Sequence, residues 1–168
     1  MKVYIANINS ISQNPDLYAE LLSPRHRARA LKYRDNRQKS QFILGRLMAA
    51  SSGKKYTSYA AYDDIVVVAA ASNGRVGIDI ADANQDCEIP ESRDLRIINL
   101  PDAHNKKERI RTRTFMNAIF RLGAFARCRQ FMRHGDYVIC IASTRFFDMP
   151  RLRKFNIEAN FPEIKNRI

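Results

Sequence analysis

The sequence predicts an α+β fold in two pseudo-symmetric lobes, each a long helix packed on a small antiparallel sheet. Three observations carry that expectation. Strand-like apolar runs recur at 2–8 (KVYIANI), 65–71 (IVVVAAA), 76–81 (VGIDIA) and 136–144 (DYVICIAST). Helix-patterned segments fall between the first and second of these and between the third and fourth, so strand, helix, strand occurs twice. The dipeptide Asn73-Gly74, which accepts the positive φ angles of a tight turn, stands between the two rounds. The lobes are then expected at 1–74 and 75–168, with a ligand cleft between them.

Taken in order, KVYIANI is β-branched and apolar enough to open the fold as a strand. After the turn signal Asn14-Pro15-Asp16 comes a short apolar segment, LYAELL, and then a basic stretch, SPRHRARALKYRDNRQKSQFILGRLM. Asp35 or Asn36 can cap a helix there, because Phe42, Ile43, Leu47 and Ala50 repeat near the helical period and Gly53 can end it. Gly45 falls inside that helix, where glycine costs about 1 kcal/mol against alanine; a close neighbour explains it best. IVVVAAA and VGIDIA are expected to pair as a hairpin around Asn73-Gly74. Residues 86–104, with Pro90, Pro101 and a short LRIINL run, read as mostly irregular. A second helix is expected at about 103–125, DYVICIAST is a closing strand, and the tail RLRKFNIEANFPEIKNRI is basic and weakly patterned.

Composition narrows the class. With 168 residues and 45% hydrophobic content the chain can bury a real core. Cys87, Cys128 and Cys140 are far apart and show no zinc spacing, which fits reduced thiols and a cytoplasmic protein. His26, His104 and His134 have no mutual spacing that suggests a metal site. No run approaches the roughly 18 apolar residues a membrane helix needs, so no membrane association is expected. The net charge of +12 predicts attraction to polyanions, whether nucleic acid, phosphorylated metabolites or an acidic protein.

Asp79 is the residue that asks for a chemical explanation. It interrupts the apolar run RVGIDIAD, and a buried carboxylate needs a metal ion or a basic partner. Arg113, Asn117 and Arg121 recur at four-residue steps on the second helix, so they share a face that could supply that partner.

The opening strand MKVYIANI, the ungapped segment SPRHRARALKYRDNRQKSQFILGRLM and the signature RVGIDIAD, in that order over residues 1–85, resemble the two-lobed 4′-phosphopantetheinyl transferases. The resemblance implies a holo-acyl-carrier-protein synthase type of reaction, in which coenzyme A is bound between the lobes. Mg²⁺ polarises the pyrophosphate, and a serine of an acidic acyl or peptidyl carrier protein attacks the β-phosphoryl group. It also implies a monomer, with Asp79 matching the first metal carboxylate. The coenzyme side corresponds to His26, Arg27, Arg29, Gln41, Arg46 and Tyr62, and the catalytic side to Asp79, Asn117 and Arg121.

The sequence departs from the family at chemically important places. Ala81 stands where the second carboxylate would be, two residues along the strand on the face of Asp79. Asn117 replaces the glutamate of the helix motif, Met116 a lysine, and Arg121 the last lysine. Ala61-Tyr62 aligns with a Ser-His pair on a loop, and Gln41 with a phosphate-binding arginine. The expectation is therefore a family member with weak or absent Mg²⁺ and weakened or lost transfer; a carrier-protein- or nucleotide-binding homologue is the alternative, and a nucleic-acid-binding module a more distant one.

Overall fold

A computed structural model of the chain describes residues 1–85 and 105–162. Strand β1 (Lys2–Asn7) leads through a 3-10 turn into helices α1 (Pro15–Ala19), α2 (Pro24–Ala30) and α3 (Asn36–Ser51), then strands β2 (Tyr56–Tyr62) and β3 (Ile65–Ala71). The second round runs β4 (Val76–Asp82), α4 (Lys106–Leu122), β5 (Cys128–His134) and β6 (Tyr137–Ser143). A short strand β7 (Leu152–Lys154) and helix α5 (Ile157–Asn160) follow.

The strands form two sheets, ordered β2-β3-β1-β7 and β4-β6-β5. In both, the strand before the long helix lies beside the last strand of the round, and the hairpin partner lies outside. The class is α+β, and the same β-α-β-β unit occurs twice. β7 extends the first sheet from the end of the chain, pairing in parallel with β1 through Val3 opposite Leu152.

Strand alternation explains the packing. Val66 and Val68 on one face of β3 meet Phe42, Ile43 and Leu47 of α3, while Val67 and Ala69 on the other face join Val3 and Ile5. That second face shares one core with Ile78, Ile80, Ile139 and Ile141 of the second sheet. The outer side of the second sheet, Cys140 and Ala142, receives Phe115, Ala118 and Leu122 of α4. The long helices thus cover the outer faces and the sheets bury their inner ones together.

Local chemistry sets the helix limits. The Asp35 carboxylate accepts from the Gln38 amide at 2.7 Å and starts α3; the Asn105 side chain accepts from the Glu108 amide at 3.0 Å and starts α4. Gly123 ends α4 in the left-handed region, at φ 62°. Lys39, nearly buried on α3, pairs with Asp16 of α1 at 2.6 Å.

Several sequence expectations need correction. IVVVAAA and VGIDIA are not hairpin partners. β3 already has β1 on one edge and β2 on the other, so no edge is left for β4, which pairs with β6 instead. Asn73-Gly74 does reverse the chain, with Gly74 at φ 76°, but the turn passes it from one sheet to the other. The first sheet is not purely antiparallel, because of β7. Each round contains a strand that the pattern did not reveal: β2, whose tyrosines, serine and threonine lack clean alternation, and β5, whose seven residues include two arginines and a histidine. Ala61 and Tyr62 lie in β2 rather than on a loop. LYAELL contributes to α1, α4 is shorter than 103–125, and the tail carries β7 and α5. The reading of 86–104 as irregular lies outside the described residues. Among the described residues no helix is long and apolar enough to cross a membrane.

Candidate functional site

β2 and β4 are edge strands of their sheets and meet along a seam, where the Ile78 amide donates to the Ser58 hydroxyl at 3.3 Å. Val76, Ile78 and Ile80 point into the shared core, which leaves Gly77, Asp79 and Ala81 on the side of α4. A Cβ at Gly77 would run into the Ala118 carbonyl and Leu122, so glycine is what lets α4 lie this close to β4. The close approach brings Asn117 and Arg121, one turn apart, onto Asp79.

Asp79 is 5% exposed. Its Oδ2 accepts from Asn117 Nδ2 at 3.0 Å and its Oδ1 from Arg121 Nη2 at 3.1 Å. Arg121 also crosses the seam, Nη1 donating to the Tyr59 carbonyl at 3.3 Å. Burial pushes the Asp79 carboxyl above the ordinary aspartate range, while the Asn117 hydrogen bond and the Arg121 charge pull it back. Cys140 lies opposite Asp79 on β6, and burial, then the Asp79 charge, pushes its thiol far up, so it stays protonated and inert. Arg113, a further turn up α4, makes no hydrogen bond to Asp79; burial raises the Tyr62 phenol, and the Arg113 charge pulls it back only slightly.

This corner does not fit Mg²⁺. The ion prefers a near-octahedral set of hard oxygens, usually with one or two carboxylates. Ala81 offers none, and Asp82 uses Oδ1 to accept the Asn84 amide at 2.7 Å in the turn that ends β4. Asp79 already has a guanidinium on one oxygen and an amide on the other. The charge a metal would neutralise is neutralised by the chain itself.

A second cluster sits on the other side of the seam. The Arg46 guanidinium lies 5.4 Å from the ring centre of Phe42 and 5.2 Å from that of Tyr59; Arg29 lies 5.3 Å from Phe42. Tyr33 and His26 flank the same Phe42 ring at 5.4 and 6.3 Å. Gly45 explains the approach of Tyr59, since a Cβ there would come within 2.6 Å of that ring. Burial raises the Tyr59 phenol, against the pull of Arg46, so it remains neutral. His26 is lowered by burial and by Arg46, Arg25 and Arg29, which favours a neutral imidazole beside the Ser23 hydroxyl, 3.2 Å away. Neither Arg29 nor Arg46 forms an ion pair among the described residues, and the buried Arg46 Nε has no hydrogen-bond partner there. Two cations converge on aromatic faces with no ion-pair partner among the described residues.

The structure therefore brings Asp79, Asn117 and Arg121 into one contact set, and His26, Arg29 and Arg46 into another, linked through Tyr59. It sends the remaining candidates elsewhere. Arg27 donates to the Glu20 carbonyl at 2.6 Å, and Gln41 to the Asp63 carbonyl at 2.6 Å. The Tyr62 hydroxyl donates to Gln85 Oε1 at 2.6 Å, with its ring edge-on to Tyr137. All three act as ties between elements. Sequence reading missed Phe42, Tyr33 and Tyr59, although Phe42 and Arg46 stand four residues apart on one helix, the spacing of a side-chain pair. Tyr59 had no such signal, because β2 itself went unrecognised. In comparisons with known proteins, no family model matches the chain and no curated protein matches it.

Proposed function

We propose that the chain is a 4′-phosphopantetheinyl transferase-like protein whose cleft, between α3 and α4, binds coenzyme A through its phosphates without a tightly held Mg²⁺. Transfer to an acidic acyl or peptidyl carrier protein is slow or lost. The observation that carries this reading is the Asp79 contact set. At the position resembling the family's first metal carboxylate, Arg121 and Asn117 already occupy both oxygens. Support also comes from the repeated β-α-β-β unit and from Arg29 and Arg46, whose charges suit phosphate oxygens.

The chemistry follows from the residues present. Arg46 is held over two rings and forms no ion pair among the described residues, so a phosphate meeting its guanidinium would gain a charge-assisted hydrogen bond from a group already held in place. Asn117 cannot serve as a general base for the carrier serine, and Asp79 spends both oxygens on internal donors. Binding is retained and proton removal is not.

The test pairs a transfer assay on apo carrier protein, read by mass spectrometry, with calorimetric titration of coenzyme A. Wild type should bind the coenzyme and transfer little, and Arg46→Gln should weaken binding by roughly tenfold. Rapid wild-type turnover abolished by Asp79→Ala would refute the weakened-transfer reading. Coenzyme affinity untouched by Arg46→Gln would refute the cleft assignment.

A further inference from the structure

Strand directions divide the molecule into two ends that differ in how their charges are met. At one end lie the turns after β2 and β5 and the end of β4, where Asp63, Asp64, Asp82 and Asp136 stand with Arg37, which pairs with Asp63 and Asp64, and with Arg133. At the other end lie the α3–β2 link, the turn at 72–75, the α4–β5 turn and the loop after β6. Here Lys55, Arg75, Arg127, Arg145 and Arg151 are all exposed. Arg75 reaches the Gly123 carbonyl at 3.3 Å and the Arg127 amide bonds the Ser143 carbonyl, which ties these loops into one surface. Two adjoining cavities of about 470 and 670 Å³ open there, both bounded by Ser72, Asn73, Arg145 and Phe146. The sole carboxylate among their described lining residues is Asp148. None of the five cations forms an ion pair among the described residues.

Two phenylalanines stand out from this basic surface, Phe125 at 87% and Phe146 at 81% exposure. Phe146 is not a slipped core residue, because its neighbour Phe147 already packs into the core shared by the sheets. The two rings belong to separate loops, the α4–β5 turn and the loop after β6, and Phe125 lines neither of the cavities that Phe146 borders.

We propose that this end binds single-stranded nucleic acid, the arginines and Lys55 tracking the phosphates and Phe125 and Phe146 stacking on bases. Isolated rings with open faces among cations suit that ligand, since every base offers a π-face and every nucleotide a charge. An acidic amphipathic helix would instead need a continuous apolar groove for anchors at helical spacing. The inference is independent of the cleft between α3 and α4, whose residues it does not use.

The test is fluorescence anisotropy of the purified full chain with a fluorescein-labelled oligothymidylate, between 50 and 200 mM salt, after circular dichroism confirms that each variant is folded. Phe125→Ala and Phe146→Ala should each weaken binding by roughly tenfold. Arg145→Gln combined with Arg151→Gln should flatten the salt slope by roughly 0.7 per arginine. Arg133→Gln, which removes one such charge at the opposite end, should leave affinity and slope as in wild type. No binding at low salt would overturn the proposal. So would phenylalanine variants that bind like wild type, or a glutamate-rich peptide that competes at equal charge concentration, which would reassign the surface to an acidic protein.

Discussion

The two sides of the seam use charge in opposite ways. On the α4 side, Asp79 is buried with Arg121 and Asn117, and its charge is answered inside the chain. On the α3 side, Arg29 and Arg46 lie over Phe42 and Tyr59 with aromatic faces beneath them and no carboxylate among the described residues. Both corners depend on a glycine that removes a side chain from a close contact: Gly77 beneath α4, and Gly45 beneath Tyr59. A paired charge closes a corner to outside ligands. An unpaired one, held in place, invites an anion.

The largest effect should come from breaking the glycine contacts. Gly77→Ala drives a methyl group into backbone, the Ala118 carbonyl, which cannot rotate away; a loss of about 3 kcal/mol is expected in urea denaturation. Gly45→Ala meets an aromatic ring that can shift, so its loss should be smaller, about 1 to 2 kcal/mol, and accompanied by weaker coenzyme binding as Tyr59 moves. Equal losses in the two variants would mean that the α4 approach is no tighter than the α3 one.

The paired corner makes the next prediction. Arg121→Gln leaves Asp79 buried with only Asn117, and should cost about 2 kcal/mol at neutral pH. That is less than the roughly 3–5 kcal/mol of a fully buried pair, because the Arg121 side chain is 41% exposed and solvent screens it.

Asp79→Asn should have the smallest effect, with a distinctive pH signature. A carboxyl whose folded pKa is raised contributes stability that is fully present below its unfolded pKa of about 3.9 and is lost as pH rises through the folded value. Relative to Asp79→Asn, wild type should therefore lose stability as pH climbs from about 4, and at neutral pH the variant should be no less stable. Urea melts across pH 4 to 8 would show this; a wild type that gained stability over the variant with rising pH would mean that Arg121 outweighs burial.

How much of this was legible in the sequence depends on how local the signal was. Asp35 as a cap, Gly53 beyond the helix end and the helical repeat of Phe42, Ile43 and Leu47 are local patterns, and α3 follows from them. The four-residue spacing of Asn117 and Arg121 likewise placed both on the face that meets Asp79. Strand pairing is not local. Asn73-Gly74 encodes a turn, but whether the strands beside it pair depends on β1, some sixty residues earlier, having taken the free edge of β3. For the same reason Tyr59 could not be seen as the link between the two corners: its role rests on an edge strand lying beside β4, and on Gly45 making room for its ring. Arg27, Gln41 and Tyr62 are a different case. Their residue types suit phosphate contact, and each also spends a donor on a nearby carbonyl or amide oxygen, which depends on neighbours the sequence pattern does not name.

If, as we propose, Arg121 and Asn117 stand in for a metal at Asp79 while the cations over Phe42 and Tyr59 hold the coenzyme, Mg²⁺ should matter little to coenzyme binding. Calorimetric titration of coenzyme A into the wild-type protein, with millimolar Mg²⁺ and again with a chelator, tests it most directly. Binding is expected in both, with affinities within about twofold of each other. A tenfold or greater gain on adding Mg²⁺, abolished by Asp79→Asn, would contradict it, because Asp79 would then be a metal ligand that gives up Arg121 when the ion arrives.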